Sequence, residues 1–286
     1  MNNFLQISLA PTASRLCLAV LFLGSALVGQ AQDAKDNKES LTVALSAPDK
    51  PGTLEVEQVN GFIHVTGYGG KDVVIDAAVR PSRSSQRSEA VAPNGMRRIS
   101  AVKGLNLTAE EKNNHVELTT ESHLRPVDLT IKVPRNFSLQ IRTVNNGDII
   151  VENVNGQLEV SNVNGPIQLN DVSGSAVANT VNGNLTAIFK NVTSGAPMAF
   201  STLNGKVDVT FPANAKVSLK MKPERGDVYS DFEVAVDKAA AKVIRTSQNG
   251  LTRLSTDEWT YGKVNGGGAE VMMKTFNGNI YLRKAK

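Results

Sequence analysis

The chain has 286 residues, of which 20% are charged and 5% aromatic, with a formal net charge of +4 and one cysteine. A mild basic excess spread over that length lacks the concentrated stripe that meets nucleic acid, and a single cysteine excludes a disulfide framework. Stability must come from packing and backbone pairing.

Residues 1–31 read as a secretory signal peptide. Arg15 supplies a positive flank, Leu16 to Val28 is an apolar run too short to span a bilayer comfortably, and Gly29-Gln30-Ala31 offers small residues for cleavage. Cys17 lies at the start of that run, where a lipid-anchor signal would carry it just after the end. No later apolar stretch is long enough for a transmembrane helix. An exported product is therefore expected, periplasmic, on the cell surface or secreted, with residues 32–51 as a polar linker and 52–286 as one repeat domain.

Val59-Asn60-Gly61-Phe62-Ile63-His64-Val65 opens the repeat. An insertion rich in Arg, Ser and Pro follows near residues 80–98. Segments on either side of Glu110 to Asn114 read as a hairpin, and Asp128 to Pro134 reads as a strand that the proline ends. The core of the pattern comes next, where Gly147, Gly156, Gly165, Gly174 and Gly183 are each nine residues apart. Asn-Gly occurs ten times in the chain, against about two by chance from 26 Asn and 23 Gly. Both residues tolerate the positive φ that tight turns need.

Apolar and polar positions alternate within each unit, which makes a strand with one buried face. Nine is odd, so the chain must turn once per unit to keep that face inward. Hairpin meanders and parallel stacks both satisfy this. Recurrence of one residue type at one offset favours the parallel stack: Asn155, Asn164 and Asn182 at the second position, and Asn153, Asn162 and Asp171 at the ninth. Gly205, Gly226 and Gly278 extend the series. The fold class expected is all-β, a β-solenoid or β-roll-like stack of short parallel strands with Asn-Gly turns, coils of about 18–22 residues and loop insertions. A second insertion falls near 232–268, with a helical turn at Ala239 to Ala241.

The runs "VDLTIKVPRNFSLQIRTVNNGDI", "FPANAKVSLKMKPERGDVYSDFEV" and "VNGGGAEVMMKTFNGNIYLRK" closely resemble the bacterial putative-adhesin family, exported β-repeat domains of unknown function. The resemblance implies a solenoid-like fold in the envelope and carries no catalytic residues.

No catalytic residue, metal site or cofactor is expected from the sequence. The units lack the Gly-Gly-x-Gly-x-Asp of calcium-built rolls, there is no Gly-x-Ser-x-Gly elbow, and His64, His115 and His123 have no ligand spacing. Arg225-Gly226-Asp227 is accounted for by its turn. Two candidate binding features remain: the arginines Arg80, Arg83, Arg87, Arg97 and Arg98, suited to anionic envelope polymers, and Trp259 with Tyr261, suited to sugar rings or to covering the stack's end. The leading expectation is a non-enzymatic binding or scaffolding module of the cell envelope, whose partner is an anionic or carbohydrate polymer or an envelope protein. The alternatives are a carbohydrate-active enzyme, with Asp208, Asp227 and Asp231 the acids to inspect, and an envelope-stress or signalling accessory.

Overall fold

In the computed structural model the described residues are 38–80, 107–120, 125–145, 147–237, 243–248, 251–256 and 259–286. They are all-β, and twenty of the strands join in one sheet of mixed orientation. The sheet folds into two rows. The first runs β5 (Leu107–Lys112), β6 (His115–Thr120), β2 (Gly52–Asn60), β8 (Phe137–Asn145), β10 (Asn155–Asn164), the second half of β11 (Ile167–Asn182), β13 (Met198–Asn204), β21 (Ala269–Asn277), β15 (Val217–Arg225), β20 (Thr260–Val264) and β17 (Ala235–Val236). The second runs β1 (Lys38–Ala44), β4 (Asp72–Val79), β7 (Val127–Pro134), β3 (Ile63–Tyr68), β9 (Ile149–Glu152), the first half of β11, β12 (Leu185–Val192), β14 (Val207–Phe211), β22 (Ile280–Lys284) and β16 (Val228–Ser230). A separate hairpin pairs β18 (Val243–Gln248) with β19 (Leu251–Thr256).

Alternation does what the sequence implies. Inward residues such as Leu139, Ile141, Ile149, Leu158, Val160, Ile167, Leu185 and Val207 are buried in one apolar core. Phe189 stacks on Phe211 at 5.4 Å and meets Phe200 edge-on at 6.1 Å, filling the C-terminal part of that core.

From β6 to β15 in the first row and from β7 to β16 in the second, neighbours are parallel and in register, apart from bulges between Leu169 and Ser173 where β11 meets β12. Antiparallel strands close the ends, correcting the expectation of parallel strands throughout: β4 lies against β1 and β7, β5 against β6, and β20 against β15 and β17. At β5–β6 the cause is local, because Asn113 and Asn114 both have positive φ, the backbone of a two-residue hairpin turn. Part of the segment read as a polar linker is strand β1, whose seven residues all pair with β4. The insertion near 80–98 lies mostly, and the helical turn at 239–241 wholly, outside the described residues. The 232–268 segment includes β17 to β20.

Stacking order departs from chain order. The coil β2–β3 sits between β6–β7 and β8–β9, and the coil β21–β22 sits between β13–β14 and β15–β16. Both interposed coils are thereby held on either side by coils from elsewhere in the chain.

Two columns run along the turn from first row to second. Gly61, Gly147, Gly165, Gly183, Gly205, Gly278 and Gly226 follow one another, and a Cβ on any of the last six would fall 1.7 to 2.2 Å from the preceding glycine's carbonyl oxygen. Positive φ explains fewer of the glycines than the sequence implies: Gly174, Gly205, Gly226 and Gly278 have it, whereas Gly147, Gly156, Gly165 and Gly183 owe their place to close backbone approach. Beside the glycines an asparagine ladder forms, each Nδ2 donating to the previous Oδ1: Asn164 to Asn145 at 3.0 Å, Asn182 to Asn164 at 2.9 Å, Asn204 to Asn182 at 2.8 Å and Asn277 to Asn204 at 2.7 Å.

Asn155 is not in that ladder. It donates to Asn136 at 3.0 Å and pairs with Ser173, because two nine-residue units make one coil and alternate units occupy opposite corners. The ninth position splits in the same way: Asn153 and Asp171 share a corner with positive φ, bridged by Lys190, while Asn162 is buried and donates to the Gly147 carbonyl at 2.9 Å. Thr180, Thr202 and Thr275 repeat the Asn162 contact on Gly165, Gly183 and Gly205.

Replacing Asn182 by alanine removes one bond it donates and one it accepts, at an expected cost of about 1–2 kcal/mol. Asn155→Ala removes the single bond to Asn136 and should cost about half as much. Urea denaturation of the two variants checks the difference.

Candidate functional site

A cluster of polar and aromatic side chains gathers where β14, β22 and β16 lie side by side. Parallel register places Asp208, Tyr281 and Tyr229 in one outward row, each three residues after a column glycine. The Tyr229 and Tyr281 rings stack at 5.3 Å with 15° between their planes. On the far side of Tyr281, the Arg283 guanidinium lies 5.3 Å and the Lys206 ammonium 5.8 Å from the ring centre.

Both cations converge on Asp208. Arg283 donates through Nε at 2.7 Å and Nη2 at 3.2 Å, and Lys206 donates at 3.0 Å. Burial opposes the charge on this 7% exposed carboxylate, but the hydrogen bonds and charges of Arg283 and Lys206 together outweigh it and hold the carboxyl below its usual range. Asp208 in turn raises Arg283.

The rim is polar. Asn279 accepts from the Asp227 amide at 3.0 Å through Oδ1 and donates to the Tyr281 hydroxyl at 3.2 Å. The Tyr229 hydroxyl reaches the Asp227 carboxylate at 3.4 Å, and the Asp227 charge pushes the phenol up from its ordinary value. Tyr229 is 50% exposed and sits on the last strand of its row among the described residues.

Of the sequence candidates, Arg80 makes a two-pronged pair with Asp128 at 2.6 and 2.7 Å, while Arg83, Arg87, Arg97 and Arg98 lie outside the described residues. Trp259 and Tyr261 do come together, around Lys220: its ammonium is 4.8 Å from the Trp259 ring, and Tyr261 is its register partner. Tyr261 also lines an open pocket of about 350 Å³ with Ser218, Asp237, Lys263 and Glu270. His64 pairs with Glu152 at 3.2 Å and His115 with Glu55 at 3.3 Å. Arg225 lies 5.3 Å over Phe276, and Gly226 closes the glycine column.

The sequence reading flagged the acids of the cluster and missed its tyrosines and cations. The signal was available: Gly226-Asp-Val-Tyr229, Gly278-Asn-Ile-Tyr281 and Gly205-Lys-Val-Asp208 share one offset, so parallel stacking alone brings them near one another. A further outward row, Val59, Val144, Val163, Val181, Leu203 and Phe276, runs beside the asparagine ladder and is apolar throughout.

Parallel strands stacked in register, with one glycine and one asparagine column, define a β-repeat protein. One stretch of the chain, residues 135–258, matches the family model Toastrack DUF4097. It spans β8 to β19, short of the interposed coil β21–β22. No curated protein matches the chain. Two crystal structures are similar at low identity. One is of a putative cell adhesion protein from Clostridium sporogenes ATCC 15579, 12% identical, covering 87% of this chain and 99% of its own, with a TM-score of 0.41. The other is of a putative adhesin from Bacteroides fragilis NCTC 9343, 10% identical, covering 87% of this chain and 97% of its own, with a TM-score of 0.35.

Proposed function

We propose that this chain is a non-enzymatic, exported binding or scaffolding module of the cell envelope, built as a solenoid-like stack. The observation that carries the reading is the pair of columns along one corner. Glycines in backbone contact and asparagines bonded coil to coil fix successive outward side chains about 4.8 Å apart on a rigid frame. Such a frame displays a periodic surface to a periodic partner, as an envelope polymer is. The state of Asp208 supports binding over hydrolysis, since a carboxylate engaged by two cations and held below its usual range is a poor general acid.

Co-sedimentation of the purified protein with isolated cell-wall and outer-envelope polymers across a salt series tests the reading. Retention in the pellet is expected. Binding that falls steeply with salt assigns it to exposed cations, and binding indifferent to salt assigns it to aromatic and amide surfaces. Saturable turnover of a polymer, lost on mutating an acid, would overturn the proposal.

A further inference from the structure

We infer that Tyr229 and Tyr281 form a stacking platform for a neutral hexose unit of a polysaccharide, rimmed by Asp227 and Asn279. The inference rests on the binding-module reading and names the ligand class of its site.

Three features of the cluster converge on that ligand. Tyr229 is half exposed although Tyr281 covers one of its faces, so a phenol ring is presented at the end of its row. The C–H bonds on one side of a hexose carry partial positive charge and meet the negative face of such a ring. Hydroxyls at the sugar's edge then need both donors and acceptors close by. The Asp227 carboxylate accepts, the Asn279 amide carries both a donor and an acceptor, and the Tyr229 hydroxyl does either.

Charge decides between neutral and anionic sugars. Lys206 and Arg283 are already committed to Asp208, whereas Asp227 stands beside the open tyrosine. An acidic sugar would face that carboxylate, and a neutral one hydrogen-bonds to it.

Preorganisation follows from the fold. Tyr281 and Tyr229 lie on strands 52 residues apart in sequence that the interposed coil β21–β22 sets in register. Tyr281 is clamped between Tyr229 and the two cations, so a ligand finds the platform already built.

Affinity electrophoresis of the purified protein through gels holding neutral glucan, mannan or galactan, with polygalacturonate as the anionic probe, tests the site at low and high salt. Retardation by a neutral polymer, indifferent to salt, is expected. Tyr229→Ala should weaken it about tenfold, whereas Tyr229→Phe keeps the ring and stays within about threefold. Thermal melts of the two variants show whether a loss at Tyr229→Ala is a loss of fold, and Asp227→Asn, which keeps a polar rim, reads the same site independently. Binding unchanged in Tyr229→Ala and Asp227→Asn would overturn the site while leaving the binding-module reading in place. Retardation by polygalacturonate alone, or by none of the neutral polymers, would overturn it equally, and co-sedimentation with envelope polymers would then decide whether the broader reading survives.

Discussion

Gly165→Ala will destabilise the protein by about 3 kcal/mol, among the largest costs of any single methyl addition to this chain. The added Cβ would lie 2.1 Å from the Gly147 carbonyl oxygen and 2.8 Å from the Asn162 amide nitrogen, distances no real Cβ contact shows. The opposing atom is backbone and held by Asn162, which donates to that same carbonyl, while Gly165 is itself fixed from the next coil by its amide bond to the Asn182 carbonyl at 3.0 Å. Relief therefore requires two coils to separate where Ile149 and Ile167 pair and where the asparagine ladder is continuous. Gly195 makes the control. Its φ is +78° but nothing lies within 4 Å of a Cβ there, so Gly195→Ala should cost only the backbone strain of about 1–2 kcal/mol. Guanidinium denaturation of both variants measures the gap. Equal costs would mean that turn conformation, and not close approach, sets the requirement for glycine in the column.

That distinction marks the boundary of what the sequence makes legible. Spacing of nine reveals strands, alternation reveals the inward face, and repeated Asn-Gly at one offset reveals in-register stacking, which the ladder from Asn145 to Asn277 confirms. Asn155 shows where pattern fails. Units of nine look alike in sequence, but a coil needs two corners, so equivalent letters at Asn155 and Asn164 have different neighbours. Stacking order is less legible still. Any coil with the same inward face and the same corner residues fits between any other two, so local pattern fixes the shape of β21–β22 without fixing its place between β13–β14 and β15–β16. The candidate site depends on that place. Asp208 meets Arg283, and Tyr281 meets Tyr229, only because the last coil of the chain is interposed.

Arg283→Met is the test that joins fold to site, with an expected cost of about 2 kcal/mol near neutral pH. The methionine keeps most of the packing over Tyr281 but removes two of the three hydrogen bonds that hold the nearly buried Asp208 carboxylate, leaving Lys206 at 3.0 Å. Arg283 itself is 48% exposed, so solvent already screens part of the pair, and the cost falls short of that for a fully buried bridge. The pH dependence has a definite sign. A carboxyl held below its ordinary value contributes stability that is complete above the unfolded-state value of about 4 and is lost as pH falls through the lower folded value. The difference between wild type and Arg283→Met should thus be constant from about pH 5 to pH 8 and narrow below about pH 4. In an Asp208→Asn background, where no carboxylate remains to be stranded, Arg283→Met should cost little at any pH. A cost that persists unchanged into acid, or that survives in the Asp208→Asn background, would assign the role of Arg283 to packing on Tyr281 and leave Asp208 held by Lys206 alone.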